Sequence, residues 1–118
     1  MTYKLYLDDI RFPRFTFPTT KDSEWVIARS YDEFVKTLKD KGIPFIVSFD
    51  HDLADEHYQP EISVETYKEK TGMDCAKHLV EVCMEQDRDL PKWFVHSANP
   101  VGAANIRSYL ESYTKSRQ

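Results

Sequence analysis

From Ser48 to His57 the chain reads SFDHDLADEH: two aspartates flank a histidine at the end of an apolar run, and more acid follows. Aspartate and histidine at this density can hold a hard cation, move protons or accept a phosphoryl group. Charge of the same kind follows three other apolar runs. Asp8, Asp9 and Arg11 come after the first, Arg29 and Ser30 after the second, and His96, Ser97 and Asn99 after the last. If Asp8, Asp9, Asp50 and Asp52 meet, they repel one another and resist ionising unless a cation joins them. Mg2+ or Mn2+ suits that set, because Mg2+ takes a few carboxylates and keeps waters that a phosphate oxygen can displace.

Whether these side chains meet depends on the elements that carry them. Four stretches read as buried strands, each short and rich in aromatic or β-branched residues: YKLYL (3–7), WVIA (25–28), PFIVSF (44–49) and WFVH (93–96). Three helices show one apolar face each, through Tyr31, Phe34, Val35 and Leu38, then Ala76, Leu79, Val80 and Cys83, then Ile106, Tyr109, Leu110 and Tyr113. Ser30 with Glu33 reads as a capping box, Gly42 as a helix stop, and Asn99 with Pro100 as an N-cap and first helical residue.

Strands alternating with helices predict an α/β fold: a four-stranded parallel sheet covered on both faces and joined by right-handed crossovers. Ligands of open parallel sheets bind beyond the carboxyl ends of the strands, which is where the charge collects. Two stretches lack periodicity. Residues 10–24 stand where a helix is expected, and residues 54–71 form an acidic loop of a length typical of lids or binding loops.

A chain of 118 residues suits a single domain, residues 1–118, burying roughly two-thirds of its unfolded surface. Its 16 basic and 20 acidic residues give a net charge of -4, which argues against a broad basic face for nucleic acid. A small phosphorylated ligand or the end of an RNA remains compatible. No apolar run approaches the roughly 18 residues of a membrane span, and Asp8 with Asp9 interrupts anything like a secretory signal. The expectation is a cytoplasmic protein with no membrane contact; oligomeric state is left open. Cys75 and Cys83 lie on one helix about 12 Å apart, too far for a disulfide, and read as core thiols.

Four motifs carry a resemblance. The LYLDDIR opening, the strand-ending SFDHDL, the helix start TGMDCA and the late HSANPVG resemble the cyclic-phosphate processing receiver-like family, a diverged relative of two-component receiver domains. The likeness runs from about Tyr3 to Tyr113. It implies a flavodoxin-like fold in which Asp8 and Asp9 match the acidic pair, Asp50 the phosphate acceptor and Ser97 the hydroxyl residue after the fourth strand. A receiver continues to a fifth strand ending in a phosphate-binding lysine, whereas this chain stops after the helix that follows strand four, so that lysine has no match. His51, Asp52 and His96 are additions an ordinary receiver does not need.

These readings and the resemblance together predict a three-layer α/β sandwich with a four-stranded parallel sheet in order 2-1-3-4, acting as a metal-dependent phosphoesterase on a cyclic phosphate, with the family name supplying the substrate class. Asp8, Asp9, Asp50 and Asp52 are the expected ligands of Mg2+ or Mn2+. Asp50, His96 and His51 are the expected catalytic groups, and Arg11, Ser97 and Asn99 the expected phosphate-binding ones. Two alternatives stand beside this: a phosphoacceptor switch centred on Asp50, and a non-catalytic nucleotide-binding protein. Each site residue also has a structural alternative. Either histidine can serve as a hydrogen-bonding residue at a strand end, Ser97 and Asn99 can cap the last helix, and Arg29 can be solvated or pair with the acids. His57 and His78 are expected at the surface, and Trp25 and Trp93 in the core.

Overall fold

The computed structural model describes residues 3–52 and 71–118. The expected acidic loop at 54–71, His57 included, lies outside the described residues apart from Thr71. The elements run β1 (Lys4–Leu7), α1 (Pro13–Thr16), a 3-10 turn (Asp22–Glu24), β2 (Trp25–Ala28), α2 (Tyr31–Lys41), β3 (Ile46–Phe49), α3 (Gly72–Glu85), β4 (Lys92–Val95) and α4 (Pro100–Ser116). The strands form one parallel sheet in the order β2-β1-β3-β4. This is the α/β fold expected from the alternation of patterns, with the receiver-like strand order implied by the family resemblance.

Local chemistry sets the helix ends. The Ser30 hydroxyl accepts from Glu33 N, while the Glu33 carboxylate reaches past it to Arg29 N at 2.7 Å. Gly42 ends α2 at φ 83°, a backbone geometry that costs a side-chain-bearing residue energy. Thr71 and Asp74 form a reciprocal capping box at α3. Asn99 Oδ1 accepts from Gly102 N at 2.9 Å, and Pro100 opens α4. No helix among the described residues is long and apolar enough to cross a membrane.

The sheet order decides which face each connection covers. The chain moves one way from β1 to β2 and the opposite way from β2 to β3 and from β3 to β4. Right-handed crossovers therefore send α2 and α3 to one face and residues 8–24 to the other. The helical face holds the main core: Leu5, Leu7, Val47 and Phe49 from the sheet pack with Phe34, Leu38, Leu79, Cys83, Ile106 and Leu110 from the helices.

The second face is covered differently. Tyr6, pointing away from that core, bonds Thr16 Oγ1 at 2.8 Å, and Phe17 stacks on Trp25 at 5.1 Å and meets Phe94 edge-on at 5.3 Å. Residues 10–24, which lack sequence periodicity, thus contain one turn of helix and a 3-10 turn where the opposite face carries three full helices. Trp25 is buried and Trp93 packs against the core from a half-buried position. His78 is half-buried, with its ring edge-on to Tyr31 at 6.4 Å, so it is not a simple surface residue.

Candidate functional site

Leu7, Ala28, Phe49 and Val95 are the last paired residues of the four strands and stand in one row across the sheet. The next residues are Asp8, Arg29, Asp50 and His96. Ladder bonds persist at that level, from Asp8 N to Ala28 O, Asp50 N to Leu7 O and His96 N to Phe49 O. Side chains alternate along a strand, so these four residues share the face of Tyr6 and lie opposite the helices. The site is therefore roofed by the 8–24 segment.

Asp8 is fully buried and heavily bonded. Its Oδ1 accepts from the amides of Ile10 at 3.0 Å and Arg11 at 2.8 Å, and its Oδ2 faces His96 Nε2 at 3.1 Å and Arg11 Nε at 3.3 Å. Burial opposes the charge of Asp8, but His96, the two amides and the Arg11 guanidinium outweigh it and hold the carboxyl at about 2. Asp8 is a carboxylate at any ordinary pH.

Asp9 and Asp50 join it. One oxygen from each of Asp8, Asp9 and Asp50 fits within 4.8 Å. Asp50 is almost fully buried, and Arg11 Nη2 lies 3.9 Å from its Oδ1. Burial and the charge of Asp8 push its carboxyl up, against the opposing pull of His96, Arg11 and Ser97. The Asp9 carboxyl is pushed up by burial and by Asp8 in the same way. One carboxylate is thus satisfied by protein groups, and two carry charge that the protein answers only in part. Three convergent oxygens with that residual charge fit a small hard cation.

His96 lies beneath this cluster. Its side chain is 4% exposed, its ring stacks on Tyr6 at 4.4 Å, and Nδ1 meets Ser48 Oγ at 2.6 Å. A carboxylate only accepts, so the proton lies on Nε2, and both ring nitrogens are engaged. Ser48 was not singled out from the sequence; its signal is a lone hydroxyl within the buried strand IVSF, on the face of Tyr6.

The remaining expected residues form a second group. His51 Nδ1 meets Asp52 Oδ1 at 2.9 Å, and Asn99 Nδ2 approaches the same oxygen at 3.4 Å. Asp52 is exposed and is not brought into the three-aspartate cluster. His51 Nε2 has no hydrogen-bond partner among the described residues, and the side chain is 19% exposed. Two glycines make room for this corner. A Cβ on Gly102 stands 2.3 Å from the His51 ring, and one on Gly72 stands 1.8 Å from the Asp50 carbonyl oxygen. The carbonyl of His51 also accepts from Gly72 N at 2.7 Å. Ser97 Oγ accepts from Asn99 N at 3.0 Å.

Arg29 has a clear task that its sequence position concealed. Its Nη1 donates to the carbonyls of Asp8 at 3.1 Å and Arg11 at 2.6 Å, so it clamps the turn that carries the acidic pair. Arg11, 38% exposed at the side chain, reaches over both Asp8 and Asp50.

A family model described as the cyclic-phosphate processing receiver domain matches residues 3–112. Neither a curated protein nor a solved structure matches the chain.

Proposed function

The chain belongs to the cyclic-phosphate processing receiver domain family, and from that premise we propose that it is a metal-dependent phosphoesterase. Its substrate in this reading is an RNA 2′,3′-cyclic phosphate end or a cyclic nucleotide. The observation that carries the reading is the cluster of Asp8, Asp9 and Asp50, whose oxygens converge within 4.8 Å while burial raises the carboxyls of Asp9 and Asp50. Mg2+ or Mn2+ held by these three aspartates supplies charge neutralisation at a phosphate oxygen.

The side chains around the cluster divide the remaining work. Arg11, partly exposed above Asp8 and Asp50, is placed to grip a second phosphate oxygen. Ser97 adds a hydroxyl beside Asp50. His51 is the proton carrier: Asp52 accepts from Nδ1–H, which leaves the lone pair on Nε2 to take a proton from water. The water oxygen bonds to phosphorus, one ribose P–O bond breaks, and that ribose oxygen takes up a proton from solvent. Asn99 orients Asp52, and His96 positions Asp8 from below. The buried, free thiols Cys75 and Cys83 support a cytoplasmic setting.

The test is incubation of purified protein with 2′,3′-cyclic nucleotides, cyclic-phosphate-ended RNA and cyclic dinucleotides, with Mn2+ or with EDTA. Chromatography should reveal a metal-dependent ring-opened monophosphate. Metal-dependent retention of a ligand that is never converted would instead make the chain a binding protein.

A further inference from the structure

Ile10, Phe12 and Phe15 are exposed by 74%, 37% and 64%, and they account for half of the large apolar side chains exposed among the described residues. Exposed apolar groups concentrated over six consecutive positions mark a contact surface rather than ordinary scatter. Their position is fixed. The amides of Ile10 and Arg11 are bonded to Asp8 Oδ1, and Arg29 ties the carbonyls of Asp8 and Arg11. Guanidinium groups accompany the rings: Arg14 lies 5.0 Å from the Phe12 centroid and 5.4 Å from that of Phe15, and Arg29 lies 4.7 Å from Phe12. The segment from residue 10 to residue 21 carries Arg11, Arg14 and Lys21, with Arg11 paired to Asp8 and Asp50 and Arg14 paired to Asp22, in a protein whose net charge is -4.

We infer that the strip from Ile10 to Phe15 is a stacking platform for the bases of a single-stranded oligonucleotide whose phosphate end lies at the aspartate cluster. Flat bases joined by anionic linkers match an exposed apolar strip whose aromatic rings carry guanidinium groups, themselves flat surfaces on which a base stacks. An anionic lipid surface fits less well, because a bilayer offers no flat rings to lie against the aromatic and guanidinium groups of the strip. A narrow platform is also consistent with an acidic protein that lacks a broad basic face. The placement of the terminal phosphate rests on the proposed function, whereas stacking on the strip needs no cation.

That difference separates the two readings by experiment. The probe is a six-nucleotide single-stranded RNA with 2-aminopurine at its last position and a plain 3′-hydroxyl, titrated with full-length protein in EDTA at low salt. Stacking quenches the fluorescence. The double variant Ile10→Ala, Phe15→Ala should weaken binding by about tenfold or more, while Phe15→Trp retains it. Both positions are exposed, so melting temperatures should stay near wild type. Absence of quenching by wild type, or equal affinity of the double variant, overturns the platform. Co-sedimentation with phosphatidylglycerol vesicles that the double variant abolishes, with no RNA binding, reassigns the strip to a membrane and overturns it too. Binding in EDTA that is not tightened by Mn2+ and a 2′,3′-cyclic phosphate end leaves the platform standing and counts against the phosphoesterase reading alone.

Discussion

His96 Nε2 lies 3.1 Å from Asp8 Oδ2 in a contact almost sealed from solvent, with Ser48 on the other ring nitrogen and Tyr6 stacked against the ring. A histidine at the end of β4 therefore holds an aspartate at the end of β1 across the intervening β3. The pair fixes which way Asp8 presents its carboxylate to the cluster. Its burial makes His96 a positioning group, with no ring nitrogen left to reach a substrate.

Removing that ring should cost both stability and metal affinity. His96→Ala deletes a stacked, buried side chain and leaves Asp8 and Ser48 short of a partner, an effect of about 2 to 3 kcal/mol. Chemical denaturation should register the loss. Isothermal titration with Mn2+ should show weaker binding, because Asp8 is no longer held toward Asp9 and Asp50. Normal metal affinity in a folded His96→Ala protein would deny the positioning role.

The acid limb of stability should report Asp8. Its carboxyl is held at about 2 in the folded chain against an ordinary value of 3.8. A lowered carboxyl stabilises the fold above the ordinary value and loses that contribution as pH falls from about 3.8 to about 2. The size is about 2 to 3 kcal/mol, from roughly 1.4 kcal/mol per unit. Asp8→Asn should be less stable than wild type at neutral pH, with the gap closing across that acidic window in urea denaturation at stepped pH.

Asp50 should behave in the opposite sense. Burial and the neighbouring charge of Asp8 raise its carboxyl, so ionisation at neutral pH destabilises the cation-free fold. In EDTA at neutral pH, Asp50→Asn should melt a few degrees above wild type. Adding millimolar Mg2+ or Mn2+ should reverse the order, because a bound cation stabilises wild type by mass action and the variant lacks a ligand. Differential scanning calorimetry with and without metal measures both effects, and a wild-type midpoint indifferent to metal would remove the basis for the cation site.

The fold was readable because every strand is short and apolar, and β2, β3 and β4 are each followed by an independent helical pattern. Asp8 and Asp50 were readable because each comes directly after an apolar run, with Asp9 next in the chain to Asp8, and parallel strands in register bring such positions to one row. Asp52 shows where that logic ends. Alternation puts residues 50 and 52 on one face only while the strand continues, and β3 stops at Phe49, after which the His51 carbonyl turns to meet Gly72. The burial of His96 was hidden for a related reason: the residue follows β4, yet Ser48 of the adjacent β3 and Tyr6 of β1 beyond it enclose it. The turn at Pro13–Thr16 is too short to leave a periodic signature.

The proton-transfer assignment turns on His51, and three substitutions address it from different sides. His51→Ala removes the base and should lower kcat on a cyclic phosphate by about 10² or more, with metal binding retained. It should also erase the acidic limb that a histidine base gives to the profile of kcat/KM against pH. Asp52→Asn keeps the side-chain shape but loses the carboxylate that accepts from Nδ1–H, so the tautomer with Nε2 free is no longer favoured. Its rate should fall less than that of His51→Ala while the pH profile shifts. Gly102→Ala touches neither group chemically. Its Cβ would stand 2.3 Å from the ring, so the ring must move, and activity should drop although Asp8, Asp9 and Asp50 are untouched. Full activity in both His51→Ala and Gly102→Ala, with metal dependence preserved, would pass the proton to solvent and leave the aspartate cluster as the whole of the catalytic apparatus.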